Sequence, residues 1–173
     1  MTRALVIIGA PGAGKSSVLE ALTTLLEVDG IEYGAIESEQ LAWGAPLLGA
    51  GEWIPQLGAV VALQRQAGRS LFLIAATTET AGELRDVTAA VGAESVAVVC
   101  LAASPEVVAA RIAQREPDRW PGKQQLIAHA RQLARSIPAI EGIDLVIDTE
   151  QRDAADVAEE IREALATLLA STG

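Results

Sequence analysis

Residues 3–18 read Arg3-Ala4-Leu5-Val6-Ile7-Ile8-Gly9-Ala10-Pro11-Gly12-Ala13-Gly14-Lys15-Ser16-Ser17-Val18, an apolar run that breaks into glycines and closes on Lys-Ser. Gly9 to Ser16 match the pattern G-x-x-x-x-G-K-[ST] in full. Ala4 to Ile8 is long enough for one buried strand, and the residues from Ser17 to Leu26 repeat apolar side chains at helical spacing. Glycines let consecutive backbone N–H groups turn toward one centre. The start of the following helix adds unpaired N–H groups and the positive end of its dipole. Gly9, Pro11, Gly12, Ala13, Gly14, Lys15, Ser16 and Ser17 are thus the candidate cradle for nucleotide phosphates, with Lys15 reaching the β/γ oxygens and the Ser16 hydroxyl ligating Mg2+. A glycine-rich turn that binds nothing is the competing reading, and the flanking strand and helix weigh against it.

Working outward, 173 residues with 50% hydrophobic content suit one domain with a sizeable core. Thirteen basic against 23 acidic residues give a formal charge of −10, which argues against nucleic acid or an anionic membrane as partner. No apolar run reaches the length of a membrane span, and Met1-Thr2-Arg3 leads into a strand rather than a signal sequence. A cytoplasmic protein is expected. Cys100 is the only cysteine and sits in the run Val96 to Leu101, so no internal disulfide forms and a buried strand position is expected. No sequence feature sets the oligomeric state.

Strands are predicted near 4–8, 33–37, 70–75, 95–101 and 143–148, with helical patterns between them. That alternation predicts an α/β fold: a five-stranded, mostly parallel sheet between helices on both faces, one domain over 1–173. Ser104-Pro105-Glu106 marks a helix start, with an N-cap serine, proline at the first position and a first-turn carboxylate, giving a helix over about 105–115. A last helix opened by Asp153 puts Val157, Ile161, Leu165 and Leu168 on one stripe. The stretch 38–58 reads as the least regular, and all three tryptophans, Trp43, Trp53 and Trp120, fall in segments predicted as loops. Trp43 and Trp53 either cap exposed apolar surface or line a pocket beside the glycine loop.

Positive charge is concentrated at Arg111, Arg115, Arg119, Lys123, Arg131 and Arg135, around the turn-rich stretch 116–122, where a mobile lid facing an anion is predicted. A solvated helix face is the plainer alternative. On a helix Arg111 and Arg115 share one face. The lone His129 reads as a surface residue, and neither a zinc pattern nor a Ser–His–Asp arrangement is present.

The glycine loop, together with Val98 to Ser104 running into a helix that ends in Arg111-x-x-x-Arg115, resembles the small P-loop kinases. That group includes adenylate kinase, gluconate kinase, shikimate kinase and chloramphenicol phosphotransferase. The resemblance covers almost the whole chain and implies the three-layer P-loop NTPase fold with a short lid at about 116–122. It implies ATP and Mg2+ as cofactors, and an ATP-dependent transfer of the γ-phosphoryl group to a small-molecule acceptor. By the same resemblance Arg111 stacks on the base, Arg115 reaches the phosphates, and Arg119 swings onto the transferring group. Thr149, Glu150, Gln151 and Arg152 border the adenine. Glu39 corresponds to the acidic residue after the second strand, as base for the acceptor or organiser of the metal, with Glu37 as the alternative carboxylate for Mg2+. The acceptor region is expected at about 38–66, with Glu39, Trp43, Trp53 and Arg65, and also Glu52 and Gln56, as candidates. The chain departs from the group at the third strand, where Ala75-Ala76-Thr77-Thr78 has alanine in place of a metal-organising aspartate. A nucleotide-binding sensor with little or no turnover is therefore the second reading. A GTPase is disfavoured, because N-K-x-D and a D-x-x-G after the third strand are both missing.

Overall fold

Every residue of Arg3–Gly9 (β1) after Arg3 is buried. Leu5 and Ile7 join one apolar cluster and Val6 and Ile8 another, as alternation on a strand covered from both sides requires. The structure, a computed structural model, describes residues 1–171, the side chains of 166 and 168–171 excepted. Four more strands complete the sheet: Gly34–Glu37 (β2), Leu71–Ala76 (β3), Ser95–Ala102 (β4) and Leu145–Asp148 (β5). The order is β2-β3-β1-β4-β5 and every pairing is parallel, with Val6 between Ile74 and Val98.

Parallel neighbours need crossovers, supplied by Lys15–Val28 (α1), Ser38–Ala42 (α2), Ala50–Gln66 (α3), Ala81–Val91 (α4), Pro105–Arg115 (α5) and Lys123–Ser136 (α6), while Ala154–Ser171 (α7) follows the last strand and packs back on the sheet. Val18, Leu22 and Leu26 of α1 and Val157, Ile161 and Leu165 of α7 cover Leu5, Ile7, Leu73 and Val99. Ile54, Leu57, Val87 and Leu133, from α3, α4 and α6, cover the opposite face with Val6, Ile8, Phe72 and Ile74. The chain fills the β2–β3 side first and then the β4–β5 side. The crevice outside the C-terminal end of β1 therefore lies where the winding reverses, and the glycine loop sits in it.

Predicted boundaries hold to within a residue or two for the strands. α5 starts as the sequence indicates, with the Ser104 hydroxyl accepting from the Val107 N–H at 3.4 Å. Asp153 opens α7 by accepting from the Asp156 N–H at 2.9 Å, while the side chain of Leu168 lies outside the described residues. The stretch 38–58 is a correction: it holds α2 and the first half of α3. Gly44 and Pro46 do lie in the 43–49 connection, but Gly49 and Gly51 stand at the start of α3 and Pro55 is carried inside it. Glu52 reaches back to the Gly49 N–H at 3.0 Å as a cap. Pro55 lies in the exposed opening turns of α3. Trp53 consequently stands in a helix and in the core, not in a loop.

Candidate active site

The cradle is built as its sequence dictates. Gly14 takes φ +101° just before α1, and no side chain caps the first turn of that helix, so its N–H groups are left for a ligand or for water. Gly12 takes φ +83° and lies so close to α5 that a Cβ would stand 2.8 Å from the Val108 carbonyl oxygen. Lys15 is only 7% exposed, and its ammonium donates to the carbonyls of Gly9 at 3.0 Å and Ala10 at 3.3 Å. Burial pulls its pKa below the usual lysine range, while the carboxylates of Glu39 and Glu37 work the other way. A buried ammonium beside a fan of free N–H groups fits a phosphate chain, which supplies the missing negative charge.

Glu39, 60% exposed on α2, holds its carboxylate 3.9 Å from the Lys15 ammonium and accepts from the Thr77 hydroxyl at 3.4 Å. Glu37 is half-buried at the end of β2, and Ser16 and Ser17 are exposed at the start of α1. Among the described residues no three His, Cys, Asp or Glu side chains form a metal cage. The donors present, one hydroxyl and one or two carboxylates, suit a Mg2+ that is held mainly by nucleotide phosphates.

A crevice of about 270 Å³ opens between the cradle and α7, lined by Gly14, Ser17, Arg111, Thr149 and Arg152 among others. Arg111 ties its walls together. Its guanidinium donates to the Gly12 carbonyl at 3.2 Å, the Thr149 hydroxyl at 3.1 Å and the Thr149 carbonyl at 2.8 Å. Base stacking was expected of it; the structure commits its donors to the cradle and to the turn after β5. Thr149, buried, shares its own hydroxyl hydrogen between the Ala13 and Ala102 carbonyls, at 3.1 and 3.2 Å. Glu150 is turned away to cap the Ser104 N–H, which holds its carboxyl below the usual range. Gln151 adopts φ +54°, and Arg152 pairs with Glu160 at 2.6 Å while still bordering the crevice.

On the phosphate side, Arg115 is exposed and pairs with Glu116 at 2.7 Å, and its charge is close enough to lower the Lys15 pKa. Arg119 is exposed in the 116–122 connection. That connection is tied down rather than loose. Lys123, buried, donates to the carbonyls of Ala113 at 2.7 Å and Glu116 at 2.8 Å and to the Asp118 carboxylate at 2.8 Å. Sequence reading counted Lys123 only as part of a basic cluster. The signal was its place at the first position of α6, where the helix dipole disfavours a cation unless something local holds it.

The acceptor candidates divide. Trp43 is 79% exposed just after α2, and Trp53 is packed in the core. Arg65 is a correction. α3 carries the chain back across the sheet, so its last turn lies roughly 20 Å from its first. There the Arg65 guanidinium donates to the Val91 and Gly92 carbonyls at 2.9 and 3.2 Å, capping α4. Two residues that sequence reading did not single out follow β3: Thr77, which donates to Glu39, and Glu79, paired with His129 of α6 at 2.7 Å. Cys100 is fully buried, and its thiol is pushed up to about 11, which leaves it unreactive.

A glycine cradle after the central strand, a buried lysine and a crevice at the switch of a five-stranded parallel sheet define the fold of a small P-loop kinase. The chain belongs to the AAA domain family, which matches residues 5–141. Among solved structures it is similar to a gluconokinase from Sinorhizobium meliloti, with TM-score 0.65, 23% identity and coverage of 97% of this chain and 94% of that one. It is also similar to an APS kinase from Mycobacterium tuberculosis solved with AMPPNP and APS, with TM-score 0.65, 18% identity and coverage of 95% and 98%. A third is a shikimate kinase from Acinetobacter baumannii solved with shikimate, with TM-score 0.62, 17% identity and coverage of 96% and 94%. No curated protein matches the sequence. Among the described residues no helix is long and apolar enough to cross a membrane.

Proposed function

We propose that this protein is an ATP-dependent phosphotransferase that moves the γ-phosphoryl group to a hydroxyl of a small molecule. The observation that carries the reading is the Lys15–Glu39 pair at 3.9 Å, a phosphate-binding cation beside an exposed carboxylate on the same edge of the sheet. The first-turn N–H groups and Lys15 hold the phosphate chain, and Ser16 and Glu37 are the residues that would hold Mg2+. When bound, the metal neutralises charge on the β- and γ-oxygens. Glu39 takes the proton of the acceptor hydroxyl as its oxygen bonds to the γ-phosphorus and the bond to the leaving ADP oxygen breaks. Arg115 and Arg119, from α5 and the 116–122 connection, stabilise the transferring group, and that connection, pinned by Lys123, stands over the site against water. The adenine lies in the crevice against α7, beside Arg111 and Arg152. The likeness to an APS kinase solved with AMPPNP supports an adenine nucleotide. ATP and the acceptor are the partners, in the cytoplasm, and the charge of −10 speaks against nucleic acid.

Glu39→Gln tests this directly. Acceptor-dependent ADP release should fall by about 10²–10⁴, the usual worth of a positioned base, while thermal stabilisation by ATP and Mg2+ persists. Unchanged turnover would remove Glu39 from the chemistry. The second reading, a nucleotide sensor, is favoured by one observation: β3 ends in Ala75-Ala76 and brings no carboxylate to the metal. It predicts ATP binding with no acceptor-stimulated turnover in the wild type.

A further inference from the structure

The two ends of the site carry opposite charge. The crevice at α7 presents Arg111 and Arg152. The other end is walled by the close of β2, α2, the 43–49 connection, the start of α3 and the turn 77–80, since Glu39 reaches Lys15 and Thr77 reaches Glu39. From Gly34 to Gln64 the chain has no Lys, Arg or His, but it has Glu37, Glu39 and Glu52. Residues 77–84 add Glu79 and Glu83 and again no cation.

The cations nearest to this wall are directed elsewhere. Arg65 caps α4 at the far edge of the sheet. Arg85, whose guanidinium lies beside Gly82 at the start of α4, is on the helix face that borders a separate crevice with Gly142 and Asp144. On α6, His129 is bound to Glu79, and Arg131 and Arg135 project about 160° and 120° round the helix from it, away from the acceptor side. Lys15, Arg115 and Arg119 serve the phosphates in the reading above. A carboxylate or phosphate on the acceptor would therefore lose water while facing carboxylates, with no cation left to pair with it. An ammonium there would meet a complementary field. Trp43, 79% exposed, and Leu47, 72% exposed, supply apolar surface on the same connection, suited to the carbon face of a ring.

We infer that the acceptor is a hydroxyl compound without carboxylate or phosphate, either neutral or carrying an ammonium group. The inference rests on the phosphotransferase reading and sharpens it. Three forces set acceptor preference here: the carboxylate wall repels anions, the wall attracts ammonium, and Trp43 and Leu47 take up apolar carbon.

The test offers the full-length protein, with ATP and Mg2+, pools of hydroxyl compounds sorted as neutral, ammonium-bearing and anionic. The pools include the sets glucose, glucosamine and gluconate, and myo-inositol, 2-deoxystreptamine and shikimate. ADP release should be stimulated only by neutral and ammonium pools, and the carboxylate analogue of the best acceptor should show kcat/KM lower by about 100-fold or more. Gln40→Arg, which places a guanidinium on exposed α2 beside Glu39, should narrow that gap by about tenfold. Equal turnover of anionic acceptors would overturn the charge inference and leave the phosphotransferase standing. Stimulation by no pool, with thermal stabilisation by ATP intact, would overturn the phosphotransferase and the acceptor inference with it.

Discussion

Replacing Gly12 by alanine tests whether the cradle is held in shape by direct contact between its backbone and α5. Gly12 sits at φ +83°, and a Cβ there would stand 2.8 Å from the Val108 carbonyl oxygen, 3.2 Å from Val108 Cα and 3.3 Å from Ile112 Cγ1. The two shortest contacts are helix backbone and cannot rotate aside. Left-handed geometry costs a residue with a Cβ about 1–2 kcal/mol, and forced repacking adds about 1–3 kcal/mol. A loss near 3 kcal/mol follows, and at about 2–4 °C per kcal/mol for a chain of this size the midpoint should drop by roughly 6–12 °C. Gly14 is the internal control. It takes φ +101° with nothing within 4 Å of its would-be Cβ, so Gly14→Ala carries the strain without the clash. Its midpoint should fall by only about 2–8 °C, less than that of Gly12→Ala in the same buffer. Pushing the loop off α5 also pulls the Gly12 carbonyl from Arg111, so Gly12→Ala should lose the gain from nucleotide, about 2.7 kcal/mol at a hundredfold excess over Kd. Thermal melts by circular dichroism, with and without ATP and Mg2+, measure both effects. Equal midpoints for the two variants would refute the contact argument.

Lys15→Met should abolish stabilisation by ATP yet melt close to the wild-type midpoint without nucleotide, because the gain from removing a buried ammonium offsets the loss of its bonds to the Gly9 and Ala10 carbonyls. Burial sets the folded pKa of Lys15 below 10.5, so the unfolded chain binds more protons between those two values. The wild type should then gain on Lys15→Met as pH rises through that window, with a constant difference at lower pH. Melts of both proteins across neutral to alkaline pH check the sign, and a gap that widens in favour of the variant would contradict it. Lys123→Met strands the Ala113 and Glu116 carbonyls, each costing about 1–3 kcal/mol, and should hasten tryptic cleavage after Arg119. Cleavage at the wild-type rate would show that the connection is held by other contacts. Thr78 is fully buried and its hydroxyl has no partner, so Thr78→Val should be neutral or stabilising by about 1 kcal/mol in urea unfolding. A clear loss there would mean that the hydroxyl is satisfied by a buried water.

Local signals carried much of the site. The cradle from Gly9 to Ser17 is one continuous strand–loop–helix unit, so its geometry follows from neighbouring residues, and the same is true of the Ser104–Pro105 start of α5. Glu39 was singled out only by the resemblance to the small P-loop kinases, and the structure sets it 3.9 Å from Lys15. The stretch 38–58 misled because glycine and proline are read as breakers. Their positions near the exposed start of α3, and the burial of Trp53 against the sheet, depend on packing that no local window contains.

The sequence by itself determined the glycine cradle and the alternating strands and helices, since each arises from propensities and periodicities within about twenty residues, and that alternation in turn implied a parallel sheet. Tertiary structure alone decided the roles of the long cations. Arg111 binds a carbonyl 99 residues away, Arg65 caps a helix end 26 residues on, and Lys123 pins a turn. A guanidinium or ammonium on a flexible stem goes wherever folding leaves an unpaired oxygen, and those oxygens gain their positions only when distant segments meet.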